Sequence, residues 1–458
     1  MNNVDFKIKC GNNIISDDEY SKLINERCAQ ISKYLKDTRA HAVIECNSNL
    51  ESILWMVACY KMKYSFTVIP KTVPEQRRKS IIEDCHPQII IKDDNIITKT
   101  SFSYKMSITD NIVYILYTSG TTGSPKGIPI SEVNYLTFLN GIKEKINFNN
   151  TNIFLSSTSM TFDISILETL IPLTNNQRVV VMEDNQKMRP HNYIELIERE
   201  RINFIQWTPT LLEWIMRYVK IEDYNLSSLK NIFIGGEKVK KSILDKFAKF
   251  ISGNIFLCYG PTECTIWCML HEYEVKDIDT YLGEAISGFD IELERYRDTD
   301  YFEIIIKGEA VSPGYLSVKS DNFFNKDGVP CFKTGDLVAK QGEQLIFISR
   351  KDRQIKINGF RLELNEIEQI LENFETIERA FVIDEVIRGK HVLRAFIKEY
   401  EGSSEDFKVI IKYLREFLPS YSVPQNFFVI PEIPRNMNGK IDYNALTKQF
   451  SSEEYKLL

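Results

Sequence analysis

The sequence predicts an α/β protein with largely parallel sheets. Two observations predict it. Helical patterns alternate with short apolar strands through the N-terminal part, the order that builds parallel sheets through helical crossovers. Beyond about Gly283 the pattern changes to strands joined by tight turns, and the C-terminal end reads as a small α+β unit. Length agrees, since 458 residues make more than one domain the expectation.

In chain order, Asp17-Asp18-Glu19 opens a helix that continues through Leu23, Ile24, Ile31 and Leu35 at helical spacing. Ala42 to Glu45, Phe66 to Ile69, Ile89 to Ile91 and Val113 to Tyr117 read as strands. Ile153 to Ser156, Val179 to Met182, Phe204 to Trp207, Asn231 to Ile234 and Ile255 to Cys258 continue the rhythm. There is no internal repeat and no low-complexity linker, so composition alone marks no domain boundary.

Composition excludes several classes. With 43% apolar and 26% charged residues, the chain is neither disordered nor fibrous. A net charge of -6 without long basic blocks argues against nucleic acid as a main partner. Apolar stretches such as Ser52 to Tyr60 are far short of the roughly 20 residues that span a bilayer, so no membrane association is expected. The N-terminus lacks the apolar core of a secretory signal. Nine scattered cysteines without a CxxC pair fit a reduced cytoplasm. Cys264, Cys268 and His271 lie close together, but a structural zinc wants four ligands and no obvious fourth lies nearby. They read as a partly buried strand or turn after a functional loop. No Ser-His-Asp or Cys-His arrangement supports hydrolase chemistry.

Glycine is scarce, 20 in the chain, and it is concentrated. Gly120, Gly123, Gly127, Gly235, Gly236, Gly260, Gly314, Gly335, Gly359 and Gly439 fall in a few short segments, where backbone must turn sharply or approach a ligand. The richest segment is Thr118-Ser-Gly-Thr-Thr-Gly-Ser-Pro-Lys-Gly127, directly after the Val113 to Tyr117 strand. Its glycines free backbone N–H groups to face anionic oxygens, its hydroxyls add donors, and Lys126 adds positive charge. It reads as a phosphate loop. It is not a Walker loop, which would need glycine at Pro125 and Ser or Thr at Gly127.

This loop resembles the signature of the adenylate-forming superfamily: acyl-CoA synthetases, luciferases and the adenylation domains of nonribosomal peptide synthetases. The resemblance spans nearly the whole chain, because further motifs follow in that family's order. They are FDIS (Phe162 to Ser165), GGE (Gly235 to Glu237), YGPTE (Tyr259 to Glu263), PGYL (Pro313 to Leu316), KTGD (Lys333 to Asp336), SRKDRQIKINGFRLELNEIE (Ser349 to Glu368), LPSYSVP (Leu418 to Pro424) and NGKID (Asn438 to Asp442). The nearest likeness is to amino-acid adenylation domains and stand-alone D-alanine–carrier protein ligases. Departures are modest: Tyr64 to Pro70 lacks the usual glycines, Ser349 replaces a glycine before Arg350, and Ser312-Pro313 replaces Ala-Arg.

The resemblance implies a fold and a set of roles. The fold is a large N-terminal domain of stacked, mainly parallel sheets (residues 1–351) and a small mobile α+β domain (residues 352–458), hinged at Asp352. The substrates of the first step are ATP and a carboxylate, with Mg²⁺ as cofactor. Thr118, Ser119, Gly120, Thr121, Thr122, Gly123 and Lys126 would cradle the phosphates. Gly235, Gly236, Glu237, Tyr259, Gly260, Pro261, Thr262 and Phe347 would line the rest of the nucleotide site, with Tyr259 stacking on adenine. Asp336 would accept from both ribose hydroxyls, Arg350 would support ribose or phosphate, and Glu263 would ligate Mg²⁺. Lys440 would bridge the substrate carboxylate and the α-phosphate as the main catalytic residue. Gly359 would line the thiol tunnel of a second half-reaction, so the small domain must rotate to serve both steps.

Asp163 matches the aspartate that binds the α-ammonium in amino-acid-activating members; as a plain alternative it caps a helix. Ile164, Leu167, Gln206, Phe233, Gly235, Cys258, Ile266 and Trp267, with Lys440, match the specificity-lining positions. The set resembles the glycine-activating pattern. Glycine is the first expectation, alanine of either hand the second, and an acyl- or aryl-CoA synthetase a weaker alternative that Asp163 argues against. A non-enzymatic homologue should have lost Lys440, Asp336 or Glu263, and all are present. The chain ends 18 residues after Lys440, so either a phosphopantetheinylated carrier protein is expected as a partner in trans to a monomeric enzyme, or the chain is an excised module of a larger protein.

Overall fold

The structure is a computed structural model that describes residues 6–35, 40–103, 111–120, 125–146, 148, 152–357, 360–387, 390–400 and 405–434. The chain divides into two compact units. The first comprises Met1–Lys71, Asp84–Tyr117 and Gly127–Lys351; the second comprises Thr72–Glu83, Thr118–Lys126 and Asp352–Leu458.

The first unit is built on three sheets. A nine-stranded sheet has at its centre the parallel strands Asn254–Tyr259, Asn231–Gly235, Phe204–Trp207, Ile153–Ser156, Arg178–Val181 and Ile8–Cys10, in that spatial order. These strands are buried on both faces, so they are near-continuous apolar runs rather than alternating ones. Period-2 geometry still sorts their side chains. Phe154, Phe204, Phe233 and Phe256 point into one core, shared with the helix Asn49–Lys61 and a second sheet. Ile205, Trp207, Ile232, Ile234 and Leu257 point into another, covered by the helices Pro190–Glu200, Pro209–Tyr218 and Lys241–Phe247. The second sheet has six strands, in the order Ile97–Lys99, Ile89–Lys92, His41–Glu45, Ser65–Val68, Ile112–Thr118 and Lys126–Ser131. The third is antiparallel and five-stranded, with the long strand Val329–Gln341 between Phe302–Lys307 and Gln344–Arg350.

Local rules explain the ends of the elements. The first helix runs Asp17–Tyr34; Ser16 Oγ accepts from Glu19 N–H, and Asp17, Asp18 and Glu19 sit at its positive end. It stops one residue short of Leu35, which turns extended. The expected strands agree with the observed ones to within about a residue at each end. The second unit carries the short hairpin strands Gln354–Ile357 and Phe360–Glu363, the helices Leu364–Glu372 and Phe407–Phe417, and a sheet of Ile377–Ile387, Lys390–Glu399 and Asn426–Val429. Ile367, Leu371, Val382, Ala395, Ile410 and Leu414 form its core. Among the described residues no helix is long and apolar enough to cross a membrane.

Candidate functional site

In the first unit, three adjacent parallel strands end together, the place where open α/β sheets bind ligands. Gln206 lies near the end of Phe204–Trp207, Gly235 at the end of Asn231–Gly235 and Cys258 near the end of Asn254–Tyr259, with Gln206 in register with Phe233 and Gly235 with Cys258. Trp267 seals this corner. Its Nε1–H donates to Gln206 Oε1 at 2.7 Å, and its ring lies over Gly235. A Cβ at 235 would come within 2.8 Å of Trp267 Cη2 and 2.5 Å of the Cys258 carbonyl oxygen, so only glycine fits. Phe233 is fully buried between Phe204 and Phe256, with ring centroids 5.1 and 5.2 Å away. Ile164, Leu167, Cys258, Ile266 and Trp267 belong to the same core. Burial pushes the Cys258 thiol pKa well up, so it behaves as a neutral apolar group.

Asp163 caps the short helix Ile164–Glu168, and its Oδ1 accepts from Ile164 N–H at 2.8 Å. The capping role is therefore real; it does not preclude a second role for a carboxylate with several lone pairs. The backbone beyond Glu263 is strained. Thr265 and Ile266 both take positive φ, 53° and 74°, which β-branched residues rarely do. Thr265 Oγ1 holds the strain in place by donating to Ala310 O at 2.7 Å.

A second cluster joins Tyr259, Asp336 and Arg350. Tyr259 O–H donates to Asp336 Oδ2 at 2.7 Å, and Arg350 Nη1 donates to Asp336 Oδ1 at 2.5 Å. Burial, and then the Asp336 charge, drive the Tyr259 pKa well above its ordinary value, so the phenol stays a donor. Gly335 takes φ +76° inside the strand Val329–Gln341, next to Asp336, where the pairing with Phe302–Lys307 shifts register. Behind it, Glu303 Oε1 accepts from Gly335 N–H at 3.1 Å and from Lys351 Nζ at 2.5 Å. Lys351 N–H donates to Gly335 O at 2.9 Å. Lys351, just before Asp352, is thus fastened to the strand that carries Asp336.

Glu263 is fully buried, and its Oε1 accepts from Tyr315 O–H at 2.7 Å. Ser312 supports the same residue: its N–H donates to Glu263 O at 2.8 Å and its hydroxyl to Pro129 O at 2.8 Å. A hard carboxylate oxygen held this way suits Mg²⁺ as a single protein ligand, since that ion is usually bound by one or two carboxylates plus phosphate and water. Cys264 and Cys268 are buried, and His271 Nε2 is hydrogen-bonded to Asp277 at 2.8 Å. Among the described residues no group of three or more His, Cys, Asp or Glu is arranged to hold a metal.

The other nucleotide-site candidates lie around these clusters. Glu237 Oε2 accepts from Thr210 Oγ1 at 2.6 Å, and Gly236 takes φ +89°. Gly260 lies against the Ile266–Cys268 backbone, where a Cβ would meet Ile266 O at 2.3 Å. Pro261 caps the 3-10 turn Thr262–Cys264. Phe347 is half-buried on Gln344–Arg350, and its carbonyl accepts from Lys238 Nζ at 3.4 Å.

The described part of the phosphate loop belongs to the second unit. Thr118 ends the strand Ile112–Thr118, and Lys126 begins Lys126–Ser131. Ser119 Oγ donates to Arg361 O at 2.9 Å. Gly120 is buried, and its backbone N–H donates to the Glu366 carboxylate, which also pairs with Arg77 Nη1 at 2.9 Å. Burial nevertheless raises the pKa of Glu366. Asp352 Oδ1 accepts from Gln354 N–H at 3.2 Å. Thr121, Thr122, Gly123, Gly359 and Lys440 lie outside the described residues.

Sequence reasoning missed Glu168, Ser312, Glu303 and Tyr315 as organisers of the site. Tyr315 and Ser312 sit in or beside the PGYL motif, which offered a signal. Glu168 and Glu303 offered none, because their partners are distant in the chain or on the backbone.

This fold, carrying these motifs, is that of an adenylate-forming enzyme. The AMP-binding enzyme family matches residues 98–316, and the AMP-binding enzyme C-terminal domain matches residues 366–440. The chain belongs to the AMP-binding enzymes. D-alanine–D-alanyl carrier protein ligase of Staphylococcus aureus (strain Newman) is 27% identical, covering 94% of this chain and 93% of that protein. Bacitracin synthase 3 of Bacillus licheniformis is also 27% identical, covering 92% of this chain but only 7% of its own length. The fold is shared with the Vibrio cholerae adenylation domain AlmE, whose structure is in complex with glycyl-adenosine-5'-phosphate. The TM-score is 0.83 at 20% identity, over 98% of this chain and 95% of that one.

Proposed function

We propose that this enzyme activates a small amino acid, glycine first, as an aminoacyl-adenylate, and passes it to the phosphopantetheine thiol of a carrier protein. In the first step a carboxylate oxygen attacks the α-phosphorus of ATP, and the bond to pyrophosphate breaks. In the second the carrier thiolate attacks the acyl carbon, and AMP leaves. The observation that carries the reading is the convergence of Gln206, Gly235, Cys258 and Trp267 at three strand ends, with Trp267 laid over Gly235 and little room beside it.

Asp163 would hold the ammonium and Lys440 the carboxylate, stabilising charge that develops on the α-phosphate. Asp336, steadied by Arg350 and Tyr259, would accept from the ribose hydroxyls. Thr118 to Gly123 and Lys126 would hold the β and γ phosphates. Mg²⁺ on Glu263 would neutralise phosphate charge. Asp352 would be the hinge between poses, and Gly359 would line the thiol path. Alanine is the second reading, favoured by the nearly end-to-end match with D-alanine–D-alanyl carrier protein ligase.

Amino-acid-dependent pyrophosphate exchange across the twenty amino acids plus D-alanine, β-alanine and salicylate tests the proposal. Glycine should give the highest kcat/KM, with alanine next. Formation of ADP and phosphate, or a preference for salicylate or phenylalanine, would overturn it.

A further inference from the structure

The strands Phe302–Lys307 and Val329–Gln341 pair antiparallel, with one break in register. Glu303 faces Leu337 and Ile305 faces Lys333, so Thr334, Gly335 and Asp336 together lie opposite Ile304 alone. A bulge of this kind takes backbone groups out of the ladder and re-aims a side chain. Thr334, Gly335 and Asp336 are buried, so those groups need other partners. Arg350 Nη2 donates to Thr334 O at 2.9 Å, and Lys351 N–H donates to Gly335 O at 2.9 Å. Thr334 Oγ1 accepts from Asp336 N–H at 3.0 Å and donates to Ile304 O at 2.8 Å. Gly335 N–H takes the carboxylate of Glu303 as its acceptor, at 3.1 Å. Glu303 is itself buried, and Lys351 Nζ, on the same oxygen, supplies the opposite charge that a buried carboxylate needs. Arg350 and Tyr259 grip the two oxygens of Asp336 and so set its side chain. Glu303 acts one level deeper, on the backbone that carries that side chain.

We propose that Glu303 is a positioning residue for the nucleotide: by accepting from Gly335 N–H it holds the bulge that aims the Asp336 carboxylate at the ribose. The inference rests on the reading of Asp336 as the acceptor of the ribose hydroxyls. Without an acceptor at 303, Gly335 N–H is left buried and unpaired, and the bulge must shift to find it a partner. Asp336 is the next residue and moves with it. A displacement of about 1 Å at a positioning group is enough to cost a large part of its effect. What is lost first is the recognition of the hydroxyls, because a charge-assisted hydrogen bond depends steeply on geometry.

The test is glycine-dependent pyrophosphate exchange with ATP and with 2′-deoxy-ATP, on the full chain and on two variants. Glu303→Met fills the same space without an acceptor. Glu303→Gln keeps an oxygen for Gly335 N–H, while Lys351, whose side chain is 32% exposed, can turn to water. In Glu303→Met the ATP-to-2′-deoxy-ATP ratio of kcat/KM should fall about tenfold, through a higher KM for ATP and an unchanged KM for glycine. In Glu303→Gln the ratio should stay within about twofold of wild type, because the acceptor remains. A merely structural role would lower exchange with both nucleotides alike and leave the ratio where it was; that result would overturn the proposal. A ratio that falls as far in Glu303→Gln as in Glu303→Met would overturn it too, since the acceptor would then not matter. Glu303→Asp, one methylene too short to reach Gly335 N–H, reads the same ratio should the methionine variant not fold. Strong glycine exchange with an unmoved ratio removes only this inference. Wild-type exchange with no amino acid removes the proposed function and this inference together.

Discussion

Replacing Glu168 by glutamine should make the protein's stability less sensitive to pH. Glu168 ends the helix Ile164–Glu168 and is fully buried. Its Oε2 accepts from Ser157 N–H at 2.8 Å and Thr158 N–H at 2.9 Å, and its Oε1 from Thr158 Oγ1 at 2.6 Å. These bonds tie down the loop that leads to Asp163. Burial outweighs them and raises the carboxyl pKa from 4.5 to about 7. The folded state therefore holds this proton more tightly than the unfolded state. The resulting stability is fully present below the unfolded pKa and is lost as pH rises through about 7. At about 1.4 kcal/mol per unit, the shift corresponds to about 3 kcal/mol, an order-of-magnitude figure. Glu168→Gln keeps an acceptor for the two backbone N–H groups and cannot ionise. In urea unfolding, wild type should lose about 2–3 kcal/mol relative to Glu168→Gln between about pH 5 and pH 8. A stability difference that is the same at both pH values would refute the argument and place the titration of Glu168 outside this window.

Other outcomes follow from the proposed function and from the geometry around Trp267 and Gly235. Lys440→Ala should lower adenylation by at least about 10²-fold and spare thioester formation from supplied aminoacyl-AMP, while Gly359→Leu should do the reverse; equal loss of both half-reactions in each variant would contradict an alternating hinge. Trp267→Ala should raise activity toward larger apolar amino acids in pyrophosphate exchange while lowering stability by about 3–5 kcal/mol, and an unchanged substrate profile would make Trp267 core packing alone. Gly235→Ala forces a Cβ to within 2.5 Å of the Cys258 carbonyl oxygen and 2.8 Å of Trp267, so its urea midpoint should drop with glycine exchange. The stability loss should be about 1–3 kcal/mol, and a variant as stable as wild type would mean that the strand ends yield freely.

The alternation of helical and strand patterns was legible because it depends on near neighbours. The strands Ile153–Ser156 and Phe204–Trp207 have the ends their apolar runs suggest, and the helix Asp17–Tyr34 begins where its acidic residues place it. The family was legible for a similar reason, since each motif is a short run whose residue types can be read directly. The sites were legible only as a set of names. Motif order says that Tyr259, Asp336 and Arg350 belong together; it does not say that one phenol and one guanidinium grip opposite oxygens of the same carboxylate.

By itself the sequence determined the α/β class, the run of motifs and the chemistry of the residues within them, because helix and strand periodicity and side-chain functional groups are local properties. Tertiary structure alone decided which distant groups share a hydrogen bond. Trp267 and Gln206 are 61 residues apart, and Lys351 and Glu303 are 48 apart. It also decided that Glu168 is closed off from water, which raises its pKa against three hydrogen bonds. It also turned the Gln206 amide so that its oxygen faces the indole N–H of Trp267, leaving Nε2 without an acceptor among the described residues. Burial and orientation come from the packing of strands brought together by the whole fold, and no window of neighbouring residues contains that information.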